Sequence, residues 1–468
     1  MADYGLSTLF VVFVLGGVAF VAAWKRPFPV LAALVLLVPF RDLSIRWMNA
    51  STDLSPEWVN AISRWWFVLI LALALVLAAQ WLKDYWRTRE LPKLRLLDWL
   101  LIAAILVAII HTLLSPNLRA GFTSMRGYLQ PLAVFVLARA FKPTKKQLQA
   151  LLIVLLLAGT IMLLFELWQV FGWTETMYRQ WGYIDQAGRL VAPTISVRGE
   201  AYIRPTSTVS GPNELAVDML LLALGSAFGV LSAKNKWRWG LAPMSGLFVL
   251  GTALTFSRSA LLGLGAAGLS VIFLIVFQQE KKPQVIRSRS FVWIVALAAI
   301  IAVVLFGLLA VTGTLEHLVA TTQRLSREYH IQDSIEATRF LLQNPGGVGM
   351  GMVEPKGALI LMNTEARYHV EGSLFQIAME MGVWGLALWL AFWGACLARL
   401  WRIWPGRADP AIKVVVGTAF SGWIGALVAF VFLPLMQSVS LMVWLWFLLG
   451  MAVEANAIEA SWEAAGAG

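Results

Sequence analysis

The chain of 468 residues is poor in cysteine, histidine and charge. Only 13% of its residues are Asp, Glu, Lys or Arg, against about 25% in an ordinary soluble domain. The single cysteine, Cys396, excludes an intrachain disulfide and leaves the redox compartment open; it reads as a small apolar packing residue. The four histidines, His111, His317, His330 and His369, show neither HxxxH nor HExxH spacing, so no metal site is read from them. Gly-x-Ser-x-Gly is absent, which removes the serine-hydrolase elbow. No acidic or basic tail, low-complexity linker or internal repeat is visible. No basic residue precedes the first apolar run of MADYGLSTLF, which argues against a cleaved signal peptide. The apolar runs are continuous rather than alternating, which excludes a transmembrane β-barrel.

What is present is apolar: 59% hydrophobic residues, 23 Trp and a mean hydropathy of +0.74. Many of the Trp fall near the ends of apolar runs, where amphipathic rings favour the interface. A spanning helix needs about 20 mostly apolar residues. Candidates lie near 7–24, 27–40, 65–82, 97–115, 127–141, 147–172, 214–232, 239–256, 259–279, 291–313, 373–396, 412–434 and 436–455. The expected fold is therefore an all-α polytopic bundle of about 12–14 transmembrane helices, one membrane domain over 1–468.

Basic residues orient it. Short loops after odd-numbered helices hold Lys25, Arg26, Arg95, Arg139, Lys145, Lys146, Arg399 and Arg402, among others. Positive-inside logic puts those loops in the cytoplasm and two long loops, 174–206 and 314–372, outside. The net charge of +11 is thus accounted for by membrane topology, with no need of nucleic acid.

The outer face carries the unusual residues. Arg204 precedes a Pro205 break and the Gly211-Pro212-Asn213 step, where Asn213 is placed to cap a helix starting near Glu214. Arg258 sits between two apolar runs, in GTALTFSRSALLGLG. A charge near hydrocarbon usually marks a functional site, although an arginine there can also anchor a loop to headgroups. In the second long loop, apolar positions from Leu315 to Leu342 recur at helical spacing among charges including Arg327. They suggest two amphipathic helices lidding the surface. Asn344-Pro345-Gly346-Gly347-Val348-Gly349-Met350-Gly351 follows. Its glycines permit close backbone approach to a ligand, or a flexible turn, and no Walker Gly-Lys-Ser/Thr follows. Glu371, with His369 two residues before it, stands at the mouth of the next helix, a place for a general base or simply for solvated polar residues, and the Gly372-Ser373 that follows would let a substrate approach the helix start.

In order, Arg204-Pro-Thr…Gly211-Pro-Asn213, Thr255-Phe-Ser-Arg258-Ser-Ala, Arg327…Asn344-Pro-Gly-Gly-Val-Gly-Met-Gly351 and Glu371-Gly-Ser…Gly382-Val-Trp-Gly385 form a set. It resembles the O-antigen ligase and O-antigen polymerase superfamily, the WaaL/Wzy-like membrane glycosyltransferases, most strongly over about 200–390. The resemblance implies a GT-C-like, metal-independent inverting enzyme without cofactor in the bacterial inner membrane. Its active site would face the periplasm, beneath a helical extracytoplasmic lid. The donor would be an undecaprenyl-diphosphate-linked oligosaccharide, and the acceptor a glycan or lipid A-core hydroxyl. Arg204 and Arg258, with Arg327 as a third candidate, would bind the diphosphate. Ligases place a His-Asn or His-Ser pair eleven residues before the Gly-x-x-Gly; here that spacing from Gly382 falls on Glu371, and His369 is two residues too early. Polymerase-like members place an acidic residue there, which tilts the reading toward a polymerase or related exopolysaccharide enzyme. A flippase or transporter of lipid-linked glycans is the competing reading. Transporters favour inverted repeats with helices broken near the midplane, whereas here the polar residues gather at one face.

Overall fold

With no water in a bilayer core, a spanning backbone must satisfy its own hydrogen bonds, so the apolar runs become helices. The computed structural model describes residues 3–51, 54–90, 93–184, 189–197, 200–232, 237–277, 322–355, 368–404 and 409–466. The first helices are α1 (Asp3–Lys25), α2 (Pro27–Leu37), α3 (Arg41–Ser51), α4 (Pro56–Ile62) and α5 (Trp65–Thr88). Next come α6 (Leu96–Leu113), α7 (Leu118–Ala140), α8 (Lys145–Gly172) and the short α9 (Glu175–Gln180). The second half holds α10 (Pro212–Ser232), α11 (Trp237–Leu254), α12 (Arg258–Phe277) and α13 (Thr322–Gln343). It closes with α14 (Ser373–Ile403), α15 (Pro410–Phe430), α16 (Val439–Val453) and α17 (Ala455–Gly466). Strands are few: β1 (Thr194–Val197) pairs antiparallel with β2 (Glu200–Ile203), and β3 (Val353–Pro355) parallel with β4 (Tyr368–Val370).

The protein is an all-α polytopic membrane protein. Among the described residues eight helices are long and apolar enough to cross a membrane, or nine if α16 and α17, bent by 57° at their junction, form one broken span. The expected runs at 127–141 and 239–256 overlap α7 and α11, which do not meet that measure. The expected span at 291–313 lies outside the described residues. In the second long loop the structure differs from expectation. Among the described residues one continuous helix, α13, carries the apolar positions from Leu325 to Leu342 that the sequence assigns to two helices, because 322–343 contains neither glycine nor proline to break it. Leu315 and Leu318 lie outside the described residues.

Packing sets which ends share a face. Thr252 of α11 donates to Ala216 O of α10 at 3.3 Å and Ser245 to Ala223 O at 2.9 Å, so these helices run antiparallel. α12 and α15 are antiparallel too. A Cβ at Gly263 would lie 2.5 Å from Gly425 O and face Ala429, while one at Gly425 would face Ala267. Small residues let helices approach closely where lipid gives no hydrophobic drive to do so. The starts of α10 and α12 and the ends of α11 and α15 therefore lie at one end of the bundle. The start of α14 joins them, since Ser373 N donates to Leu433 O at 3.1 Å, just past α15.

At the other end Arg139 bonds Asp98 at 2.7 Å and Glu454 at 3.2 Å, Lys145 bonds Asp409 at 2.7 Å, and Arg399 Nε donates to Val453 O at 2.6 Å. These residues belong to the loops and helix ends sorted together by positive-inside logic. Between the ends, Trp389, Trp393, Trp423 and Trp446 are each 1% exposed, with Trp423 and Trp446 ring centroids 4.7 Å apart. These four pack the core of the bundle rather than its interfacial belt. Stacked and edge-on aromatic pairs add to the area they bury.

Candidate functional site

The candidate site forms where the loop between β2 and α10 meets the break between α11 and α12. Arg204 N donates to Pro193 O at 2.7 Å, Pro205 follows the strand, and the loop to α10 is held by α8 and α3. Gln169 Oε1 of α8 accepts from Thr206 N at 3.0 Å and Ser207 N at 2.7 Å. Ser207 Oγ donates to Met162 O at 2.6 Å. Arg46 of α3 donates to Tyr183 Oη at 2.7 Å, Val209 O at 2.7 Å and Ser210 O at 2.9 Å. Thr206, Ser207 and Thr208 are buried, and Ser207 has a φ of +49°. Backbone in that region is held only when its surroundings fix it.

α10 begins at Pro212, one residue earlier than its expected cap. Asn213 is consequently inside the first turn, and its Oδ1 accepts from Arg204 Nη2 at 2.9 Å. The expected cap is thus an orienter of the arginine. Glu214 takes over the capping, accepting from Ser210 N at 3.2 Å and from the Ser210 hydroxyl.

The break is Thr255-Phe256-Ser257, between α11 and α12. Phe256 has a φ of +56°. The turn is closed by Thr255 Oγ1 donating to Thr252 O at 2.7 Å, and by Ser257 N donating to Thr255 Oγ1 at 3.2 Å. It leaves Thr255 O to accept from Arg204 Nε at 2.8 Å and starts α12 at Arg258. The two motif arginines are thereby brought together. Burial, and then the positive charge of Arg258, pull the Arg204 pKa down to about 10. Arg204 still carries its charge at neutral pH, and its partners among the described residues are neutral oxygens. A guanidinium fork of this kind suits an oxyanion, and a second cation beside it adds to the attraction.

Glu371 lies two residues before α14 at the same end and is half-buried. It lines a small pocket with Ser334, Val370, Gly372, Phe375, Val431 and Phe432. Gly372 and Ser373 do not open the helix mouth to a substrate, as the sequence suggested. A Cβ at Gly372 would lie 2.2 Å from Val431 O, and the Ser373 hydroxyl donates to Leu433 O at 2.7 Å and accepts from Leu435 N at 2.7 Å. They clamp Glu371 to the connection between α15 and α16. α13 covers the start of α14 through Ala337, Val353, Val370 and Met379, with the Phe340 and Tyr368 rings 4.7 Å apart.

The glycine-rich run makes its close approach to the protein itself. Gly347 and Gly382 have φ of +77° and +72°, and a Cβ at Gly347 would lie 2.5 Å from Gly382 N. The run fills the kink in α14, with Val348 N donating to Met379 O at 2.8 Å and Val383 N to Pro345 O at 2.9 Å. His111 Nε2 meets Gly346 O at 3.1 Å, so this histidine braces the run.

Arg327 lies in α13, and His369 lies in β4 opposite Glu354; the side chains of both fall outside the described residues. Among the described residues no three His, Cys, Asp or Glu gather as a metal would require. Sequence reasoning missed Arg46 and Gln169, whose roles depend on partners far along the chain and leave no local signal.

Residues 243–390 match the family model described as Wzy_C, O-antigen ligase. Over that stretch, about a third of the chain, the sequence is similar to the O-antigen ligase family. No curated protein matches it significantly. The match takes in Arg258, the glycine-rich run, Glu371 and the α14 kink. Arg204 lies before the matched residues and reaches the family segment through Thr255. The similarity supports a role in glycan transfer at a membrane and suggests lipid-linked glycans as substrates.

Proposed function

We propose that the protein transfers or polymerises glycan from an undecaprenyl-diphosphate-linked donor onto an acceptor hydroxyl, at the outer face of the bacterial inner membrane. The observation that carries this reading is the Arg204 Nε to Thr255 O bond, which sets two arginines together with neutral oxygens as Arg204's partners. The acceptor oxygen forms a bond to the anomeric carbon as the bond from that carbon to the phosphate oxygen breaks. The bonding pair leaves on the diphosphate, where Arg204 and Arg258 stabilise the growing negative charge. Arg327 on α13 is a third contributor from the lid. The hydroxyl proton passes to Glu371, with His369 beside it in the chain shaping the acceptor side. Direct displacement inverts the anomeric centre. Two fixed guanidinium groups supply the charge that a divalent ion supplies in many glycosyl transfers, so turnover needs no metal. Glu371 in place of the ligase histidine favours polymerisation over transfer to lipid A-core.

Turnover of an undecaprenyl-diphosphate oligosaccharide by the purified chain, with and without lipid A-core, tests the reading. Ladders formed without lipid A-core are expected. A single shifted lipid A band would make it a ligase, and no product in either case would reject glycan transfer.

A further inference from the structure

Glu380 lies nine residues beyond Glu371 on the spanning helix α14 and is 0% exposed. A carboxyl in such a place is costly without bonded partners and is functional by default. Its Oε1 accepts from Ser124 Oγ of α7 at 2.8 Å and from Gly351 N, at the end of the glycine-rich run, at 2.9 Å. Ser124 Oγ in turn accepts from Gln437 Nε2, just before α16, at 3.0 Å. The backbone of the same turn holds the run as well, with Gly349 N donating to Glu380 O at 3.2 Å. Two residues past Gly351 begins β3, which pairs with β4, and β4 ends at Val370 next to Glu371. One carboxyl oxygen therefore joins α7, the glycine-rich run and, through β3 and β4, the residue preceding the candidate base. The other side of Glu371 is fixed by Ser373 to Leu433, Leu435 and Met436.

We infer that Glu380 is a positioning residue for the transfer: by gripping Gly351 and Ser124 it holds the β3–β4 strap, and with it Glu371, against the bundle. The inference rests on the reading of Glu371 as the base. Two donors converge on a single oxygen, so the role is hydrogen-bond acceptance rather than charge, and a glutamine oxygen can fill it. Displacing a catalytic group by about 1 Å costs on the order of 10²-fold in rate.

Steady-state kinetics of the full-length protein, with undecaprenyl-diphosphate oligosaccharide as donor, distinguish the roles. Glu380→Ala is expected to lower kcat by about 10²-fold while donor KM stays within about threefold, and Glu380→Gln to keep at least about a third of wild-type kcat. Glu380→Gln as inactive as Glu380→Ala would overturn positioning and make the carboxyl a chemical participant. Unchanged kcat in Glu380→Ala would remove any role. If Glu380→Ala fails to fold, Ser124→Ala and Gln437→Ala each remove one bond of the network, and wild-type kcat in both would equally overturn it. Hydrogen exchange reads the strap without any turnover: Glu380→Ala, or Ser124→Ala in its place, should speed exchange over 348–353 and 368–370 and leave 212–220 unchanged. Unchanged exchange in the strap would reject the inference even if the wild type proved inactive, an outcome that by itself counts only against the transferase reading.

Discussion

The two ends of the bundle treat arginine differently. At one end Arg139, its side chain 16% exposed, is matched by two carboxylates, Asp98 at 2.7 Å and Glu454 at 3.2 Å. At the other, Arg204 is largely removed from water and bonds Thr255 O and Asn213 Oδ1, with Arg258 close enough to depress its pKa. A guanidinium neutralised by carboxylates ties helices together and has little charge left for a ligand. A guanidinium oriented by neutral oxygens next to a like charge is a standing cost to the fold. An anionic ligand would relieve that cost, and so the second arrangement is the candidate site where the first is a clasp.

Substituting matched residues at each end sharpens or breaks this contrast. The largest effect is expected from the acids. Glu371→Gln should lower turnover by about 10²–10⁴-fold, the usual worth of a general base, with donor binding retained. Glu454→Gln should leave turnover near wild type. His369→Asn should cost far less than Glu371→Gln; an inactive His369→Asn beside a competent Glu371→Gln would move the base to His369 and the enzyme toward the ligase branch.

Arginines come next. Arg204→Ala or Arg258→Ala should each reduce activity by at least about 10²-fold, as when one preorganised charge-stabilising donor is lost. Lysine should restore only part, lacking the planar fork. Activity within twofold of wild type in both alanine variants would make them headgroup anchors and erase the difference between the ends.

The clasp should respond in stability instead. Arg139→Ala leaves Asp98 and Glu454 without their shared partner and should destabilise by about 2 kcal/mol, read as a lower thermal midpoint in detergent, with turnover per folded molecule unchanged. A selective loss of turnover would mean that both ends serve the chemistry. The smallest effect is expected from chelation. Excess EDTA should leave steady-state turnover intact. Loss on chelation, restored by magnesium or manganese, would show that the arginines do not supply the charge alone.

Much of the fold was legible in the chain. Run length and hydropathy located the long helices; Gly211-Pro212 fell at the start of α10 and Thr255-Phe256-Ser257 between α11 and α12, whereas Pro205 follows a strand. The arginine pair was legible as two separate residues, each with a headgroup role as its ordinary alternative. Local rules misread three details, for one reason. Asn213 had the right type and place for a cap, Gly346 to Gly351 for a ligand loop, and Gly372-Ser373 for an open helix mouth. In each the deciding partner is remote: Arg204, the α14 kink, and the connection from Val431 to Met436.

The sequence by itself determined that this is a helical membrane protein, where its helices break, and that its motif arginines sit at breaks. Those are properties of short segments, because in lipid each run must satisfy its own backbone. Only the tertiary structure decided that the loop before α10 meets the α11–α12 break across 51 residues, that Glu371 shares their end of the bundle, and that Glu380 grips the strap behind it. Those pairings follow from which helices can approach closely, through contacts such as Gly263 against Gly425, and no local pattern encodes a partner hundreds of residues away.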